Sequence, residues 1–179
     1  MKILKYSLLI LFFVFTGCAT DDGELNIDTA NLLGDWNLVD INSENGEATI
    51  TEDGVTITVD FELSSENEDL QITFDESPNV VSSEGSFTQV TTISTLGQTE
   101  VEETLIEGVF LDGNWILEGD QLTINSENEF NDDFDFVPTF EITRLSDTIL
   151  EIRQDLNQQL TFSDNNLETN GILILTFQR

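Results

Sequence analysis

The side chains that most often do chemistry are largely missing from this chain, and those present are carboxylates. There is no histidine, the single cysteine is Cys18, and no lysine follows Lys5. Ser-His-Asp triads, Cys-His pairs, Schiff-base lysines and His-bearing zinc sites therefore lack their parts. What remains is carboxylate-pair chemistry of the kind glycosidases use. With 36 Asp and Glu in the chain, two carboxylates fall close together by chance, so proximity alone points to no reaction. No catalytic residue, cofactor or metal is expected, and the chain reads as non-enzymatic.

Two arrangements could still bind something. Glu129, Asn131, Asp133 and Asp135 share one face of an extended segment, with Phe130, Phe134 and Phe136 on the other. Calcium takes about six to eight oxygens, which such a face could begin to supply. The segment lacks the glycine of an EF-hand loop, and Pro138 marks an edge or bend, so a solvated strand face is the competing reading. The second arrangement is polar groups in an apolar phase. Glu103 alternates with Val101 and Leu105, and Arg144 with Phe140 and Ile142. A buried charge must pair, reach solvent or meet a ligand. Arg144 could hold a ligand carboxylate, or occupy a rim beside Ser146-Asp147.

The elements that must position these residues are strands. In VTITVDFEL, Val55, Ile57, Val59, Phe61 and Leu63 alternate with Thr56, Thr58, Asp60 and Glu62, the period of a half-buried antiparallel strand. Asp53-Gly54, preceded by Ala48 to Glu52, is a two-residue hairpin signal. Short strands are expected at Trp36–Ile41, Leu70–Phe74, Phe87–Leu96, Thr99–Ile106, Trp115–Leu117, Leu122–Ile124, Phe140–Leu145, Ile149–Arg153, Leu160–Phe162 and Ile172–Phe177. Gly97, Gly119-Asp120, Ser146-Asp147 and Asp164-Asn165-Asn166 supply the turns. About ten short strands suggest a sandwich or a closed barrel. A single helical turn is expected over Ile27–Leu33, capped by Asp28 or Thr29.

The N-terminus places the domain. Lys2 and Lys5 precede eight unbroken apolar residues, Leu8 to Phe15, and the small residues Thr16 and Gly17. That order is a secretory signal, and the apolar run is too short for the roughly 20 residues of a membrane helix. Phe15-Thr16-Gly17-Cys18 resembles the lipobox of bacterial lipoproteins, with Phe15 where a smaller aliphatic residue is usual. The resemblance implies a diacylglyceryl group on Cys18; the alternative is a secreted protein with one spare thiol. Asp21, Asp22 and Glu24 resemble the acidic tether of surface-displayed outer-membrane lipoproteins, or are a solvated linker. The chain thus divides into a signal peptide (1–17), a lipidated Cys and tether (18–30) and one domain (31–179). Losing Lys2 and Lys5 removes two positive charges and takes the net charge from −31 to −33. Such a surface repels nucleic acid and anionic headgroups and favours a monomer, leaving the lipid as the membrane contact.

Gly34-Asp35-Trp36 in LLGDWNLVDI, the stretch GNWILEGDQLTI and the stretch FEITRLSDTILEI are similar to the opening strand and the later hairpins of bacterial lipocalin-like lipoproteins. That resemblance implies an all-β, single antiparallel up-and-down lipocalin-like barrel of about 8–10 strands. It implies a floor formed by Gly34, Trp36 and an Arg of the last strand, which by position is Arg179. It also implies a small hydrophobic or amphipathic ligand, for which Glu103 and Arg144 are candidate contacts. The Thr-rich strands after Ser86 suggest a polar mouth near those two, over an apolar floor of Trp36, Val59, Phe61 and Leu175. The rival is a structural or protein-interaction module of the envelope, its barrel filled by its own side chains.

Overall fold

The computed structural model describes residues 27–52, 54–108, 110–125, 138–162 and 165–179. The alternation produces an all-β chain: β1 (Gly34–Glu52), β2 (Val55–Asp75), β3 (Val80–Thr95), β4 (Gln98–Glu107), β5 (Gly113–Glu118), β6 (Gln121–Asn125), β7 (Thr139–Leu145), β8 (Ile149–Asp155), β9 (Gln158–Phe162) and β10 (Asn165–Gln178). One helical turn, α1 (Thr29–Leu32), precedes them. Asp28 caps it, its carboxylate accepting the Ala30 N–H at 3.0 Å, so one orphan donor of the turn is satisfied. Asn165 and Asn166, expected in a turn, open β10 instead.

All pairings are antiparallel, and the sheet closes in a ring. It runs β1-β2-β3-β5-β6-β7-β8-β10 and returns through β10–β1. Two strands stand off that path. β4 pairs β3 over Ser86 to Thr95, above the point where β5 takes the same edge at Val80 and Val81. β9 pairs β10 over Asn165 to Thr169, above the stretch that β8 pairs. The ring therefore has a low wall of short strands, β5 to β8, and a tall wall ordered β9-β10-β1-β2-β3-β4.

The tall wall exists because strands that look broken in sequence are continuous. Ser43-Glu44-Asn45 and Ser64 to Glu68 read as breaks, yet β1 and β2 run through both as bulges. Where the β1–β2 register shifts, serines replace the ladder: the Ile41 N–H donates to Ser65 Oγ at 2.9 Å and the Leu63 N–H to Ser43 Oγ at 2.7 Å. Asn45 and Asn67 take positive φ at 52° and 54°, which asparagine tolerates better than most residues.

The core fills the ring below this level. Trp36, Phe74, Phe87 and Phe177 are fully buried, with Leu and Ile side chains from β2, β6, β7, β8 and β10 between them. Trp115 packs edge-on to Phe74, centroids 6.2 Å apart, and its indole N–H donates to the Asp75 carbonyl at 3.0 Å. Between the reaches of β4 and β5, the edge of β3 is covered by the segment ending at Asp112. There the Ser83 hydroxyl accepts the N–H groups of Phe110 and Leu111 at 2.8 and 3.3 Å and bonds the Asp112 carboxylate, which also accepts the Ser83 N–H at 3.2 Å. Leu111 enters the core, and Phe110 meets Phe87 edge-on at 5.1 Å. Ser83→Ala strips these partners from part-buried groups and is expected to cost about 1–3 kcal/mol. Urea denaturation checks it, and an unchanged midpoint would show that the segment is held by its apolar side chains alone.

Candidate functional site

Three features could carry function: the closed end of the ring, the polar residues expected to face inward, and the tall wall.

At the closed end, α1 lays Leu32 across the ring and turns its last carbonyls toward β1. The Trp36 N–H donates to the Leu32 carbonyl at 2.8 Å, so the buried indole is satisfied. Arg179 lies over the ring face, its guanidinium carbon 4.1 Å from the ring centroid. The same guanidinium donates to the Asn31 carbonyl at 3.0 Å and to the Leu33 carbonyl. Gly34 supplies the backbone turn at φ +103°, which side chains rarely adopt; a Cβ there would only be in ordinary contact, 3.7 Å from Arg179 Nη2. A cation over an indole contributes roughly 0.5–2 kcal/mol. This arrangement ties the last residue to the first turn. Arg179 Nη2 bonds backbone carbonyls and the guanidinium face covers Trp36, so the residue acts as a clasp between the two ends of the domain.

Glu103 and Arg144 do not come together, and neither faces the interior. Both are exposed. In β4 the inward set is the other one: Ile106, opposite buried Phe87, shares its face with Thr104, Glu102 and Glu100. Val101 and Leu105 are an apolar stripe on the outer face, so the phase they set for Glu103 points to solvent. β4 moreover stands off the ring. In β7 the register shifts between Ile142 and Arg144, and this irregularity inverts the phase after Ile142. The Thr143 hydroxyl donates to Glu151 Oε1 at 2.6 Å, while Arg144 turns outward.

The expected floor is corrected in the same way. Trp36 and Leu175 are buried in the ring, but Val59 and Phe61 lie above the bulge, half-exposed on the tall wall. The threonines do not mark a single wet mouth either. Several pair across strands on the outer face, as Thr49 with Thr58 at 3.0 Å and Thr99 with Ser94 at 3.3 Å.

The tall wall has two unlike faces. Inward, Ala48, Ile50, Ile57, Val59, Phe61 and Ile93 form an apolar band above the core, Ile50 and Ile57 exposed, with Glu100 opposite Ile93. Outward stand Glu47, Asp60, Glu62, Glu66 and Glu103. Clefts open to solvent among the described residues include one of about 350 Å³ beside Asn37, Leu70 and Glu84 and one of about 550 Å³ beside Ile93, Thr95 and Glu100. Among the described residues, no group of three or more acidic side chains is arranged to hold a metal ion, and no helix is long and apolar enough to cross a membrane. Cys18, the tether acids and the Glu129–Asp135 face lie outside the described residues.

Sequence reasoning missed the Ser83–Asp112 tie and the tall wall. For the first a signal existed: Ser83 shares the inward phase of Val81 and Phe87, so a polar side chain there needs a partner. Compared with protein-family models, curated proteins and solved structures, the chain matches none.

Proposed function

We propose that this protein is a lipoprotein of the cell envelope, anchored through Cys18 in the outer membrane, whose lipocalin-like up-and-down barrel is a non-catalytic interaction module. The observation that carries this reading is the burial of the ring's own large side chains, Trp36, Phe74, Phe87 and Phe177, each fully buried. A carrier barrel needs an apolar space of about 300 Å³ or more, lined by a few polar groups that orient the ligand. The two side chains expected in that role, Glu103 and Arg144, stand on the outside. The sequential order of the ring and the Arg179–Trp36 clasp support the likeness to lipocalins. The absence of histidine and of any lysine beyond Lys5 supports a non-catalytic role.

Two measurements on the full chain expressed in a bacterial host test the reading. Cys18→Ser should move the protein from the membrane fraction to the soluble one, and a variant that still sediments after a high-salt wash removes the anchor. Native mass spectrometry of the detergent-extracted wild type should show the lipidated chain alone. A stoichiometric lipophile bound beside it would restore the carrier reading.

A further inference from the structure

Among the described residues, one edge of β4 is open. β4 pairs β3 along its whole length, and no described strand pairs its other edge. The hairpin turn is Leu96-Gly97, both at positive φ, 50° and 79°, the conformation of a two-residue hairpin loop. The residues flanking such a loop exchange both hydrogen bonds, and bonded and non-bonded pairs then alternate along the ladder. Gln98, Glu100, Glu102, Thr104 and Ile106 therefore bond β3, while Thr99, Val101, Glu103 and Leu105 point their N–H and C=O groups outward. A strand edge of this kind is a template for strand addition.

Side chains specify what would fit. On the outer face Val101 and Leu105 are 58% and 59% exposed and flank Glu103. On the inner face stand Glu100 and Glu102. An incoming strand meets apolar side chains at two positions and carboxylates on both of its faces. A second copy of this chain is the wrong occupant: it carries net charge −31, and the basic residues beyond Lys5 are Arg144, Arg153 and Arg179, none on β4. Like charges opposed across a strand pair are destabilising, whereas opposite charges stabilise it.

We propose that the β4 edge binds an extended, lysine- or arginine-rich segment of a partner protein by antiparallel strand addition, with cationic side chains opposite Glu100, Glu102 and Glu103 and apolar ones opposite Val101 and Leu105. This deepens the interaction reading above and rests on it. The backbone of Val101, Glu103 and Leu105 supplies the hydrogen bonds, and the carboxylates choose the partner and reject self-association.

The test uses the full chain in detergent and the acetylated, amidated peptide Thr-Val-Thr-Lys-Lys-Val-Lys-Thr, which places these side chains in antiparallel register against Leu105 to Glu100. Binding is read by titration calorimetry, and amide exchange of Thr99, Val101, Glu103 and Leu105 by NMR. The peptide is expected to bind and to slow exchange at those amides about tenfold or more, as occupied strand edges require. Its glutamate-for-lysine counterpart should not bind. The same peptide N-methylated at the residues facing Val101, Glu103 and Leu105 keeps its charge but loses its edge donors, and should bind about tenfold more weakly or worse. Equal binding of the N-methylated peptide, unchanged exchange on β4, or no binding of the lysine peptide overturns the proposal. Any of these with an empty-handed mass spectrum overturns the edge alone; a co-purifying lipophile overturns the interaction reading beneath it.

Discussion

Trp36→Ala should lower the unfolding free energy by about 3–5 kcal/mol, the range for truncating a large aromatic in a core. Trp36 is fully buried, so the indole cannot be replaced by water without leaving a void beneath α1. Its loss also frees the Leu32 carbonyl and removes the surface on which Arg179 lies. Trp36→Phe keeps much of the buried area but drops the N–H donor, and should fall between wild type and alanine. Arg179→Gln removes the cation from the ring face and the guanidinium bonds to Asn31 and Leu33. Because both substitutions break the same contact, the double variant should cost less than the sum of the singles, the difference measuring the coupling. Urea denaturation with matched m-values is the readout. Additive losses would mean that Trp36 is an ordinary core residue and Arg179 ties down α1 independently.

This clasp was legible because its parts are rare. A Gly-x-Trp opening the first strand, and an arginine in phase with Leu173, Leu175 and Phe177 at the end of the last, are few enough to be matched from opposite ends of the chain. The strands were legible for a similar reason: alternation of Val, Ile, Phe and Thr with acids admits no helix. Where the strands end was not. The serine- and asparagine-rich stretches at Ser43 and at Ser64 look like turns because those residues favour turns. Here they sit inside β1 and β2, where serine hydroxyls take over N–H groups that the shifted ladder leaves behind.

The inward phase expected of Glu103 and Arg144 was misread for a different reason. Phase identifies two faces but does not say which one is buried. In β4 the apolar set Val101 and Leu105 is the outer one, because the hairpin rises beside β3 above the low wall and its inner face is set by Ile106 against Phe87. In β7 a single irregularity after Ile142 inverts the face, and no residue type in Phe140 to Leu145 announces it. The error in β7 arises where the chain leaves regular pairing, whereas β4 lies in an unbroken ladder whose two faces the alternation alone does not distinguish.

Gly85→Ala should cost about as much as Trp36→Ala, roughly 3–5 kcal/mol, although it adds one methyl group; backbone strain and overpacking each contribute about 1–3 kcal/mol. Gly85 sits at φ +98°, opposite the β2 bulge, and a Cβ there would stand 1.8 Å from the Asp69 carbonyl oxygen and 3.2 Å from Leu70 Cα. Those atoms are backbone, so no side chain can swing aside; β2 and β3 must separate. Separation also loosens the bond from the Gly108 N–H to the Gly85 carbonyl, 3.0 Å, with which the chain leaves β4. Gly97→Ala is the control. Its φ is +79°, but nothing lies within 4 Å of the added methyl, so it should show only the left-handed penalty of about 1–2 kcal/mol. The difference between the two variants isolates the close approach of the strands from the conformation of the glycine. Urea midpoints give that difference, and amide exchange locates it: the loss at Gly85 should appear along β3 and β4 above the bulge before it reaches the ring. Equal midpoints for the two variants would show that β2 can yield at Asp69, and that the tall wall stands by its long ladders and not by this contact.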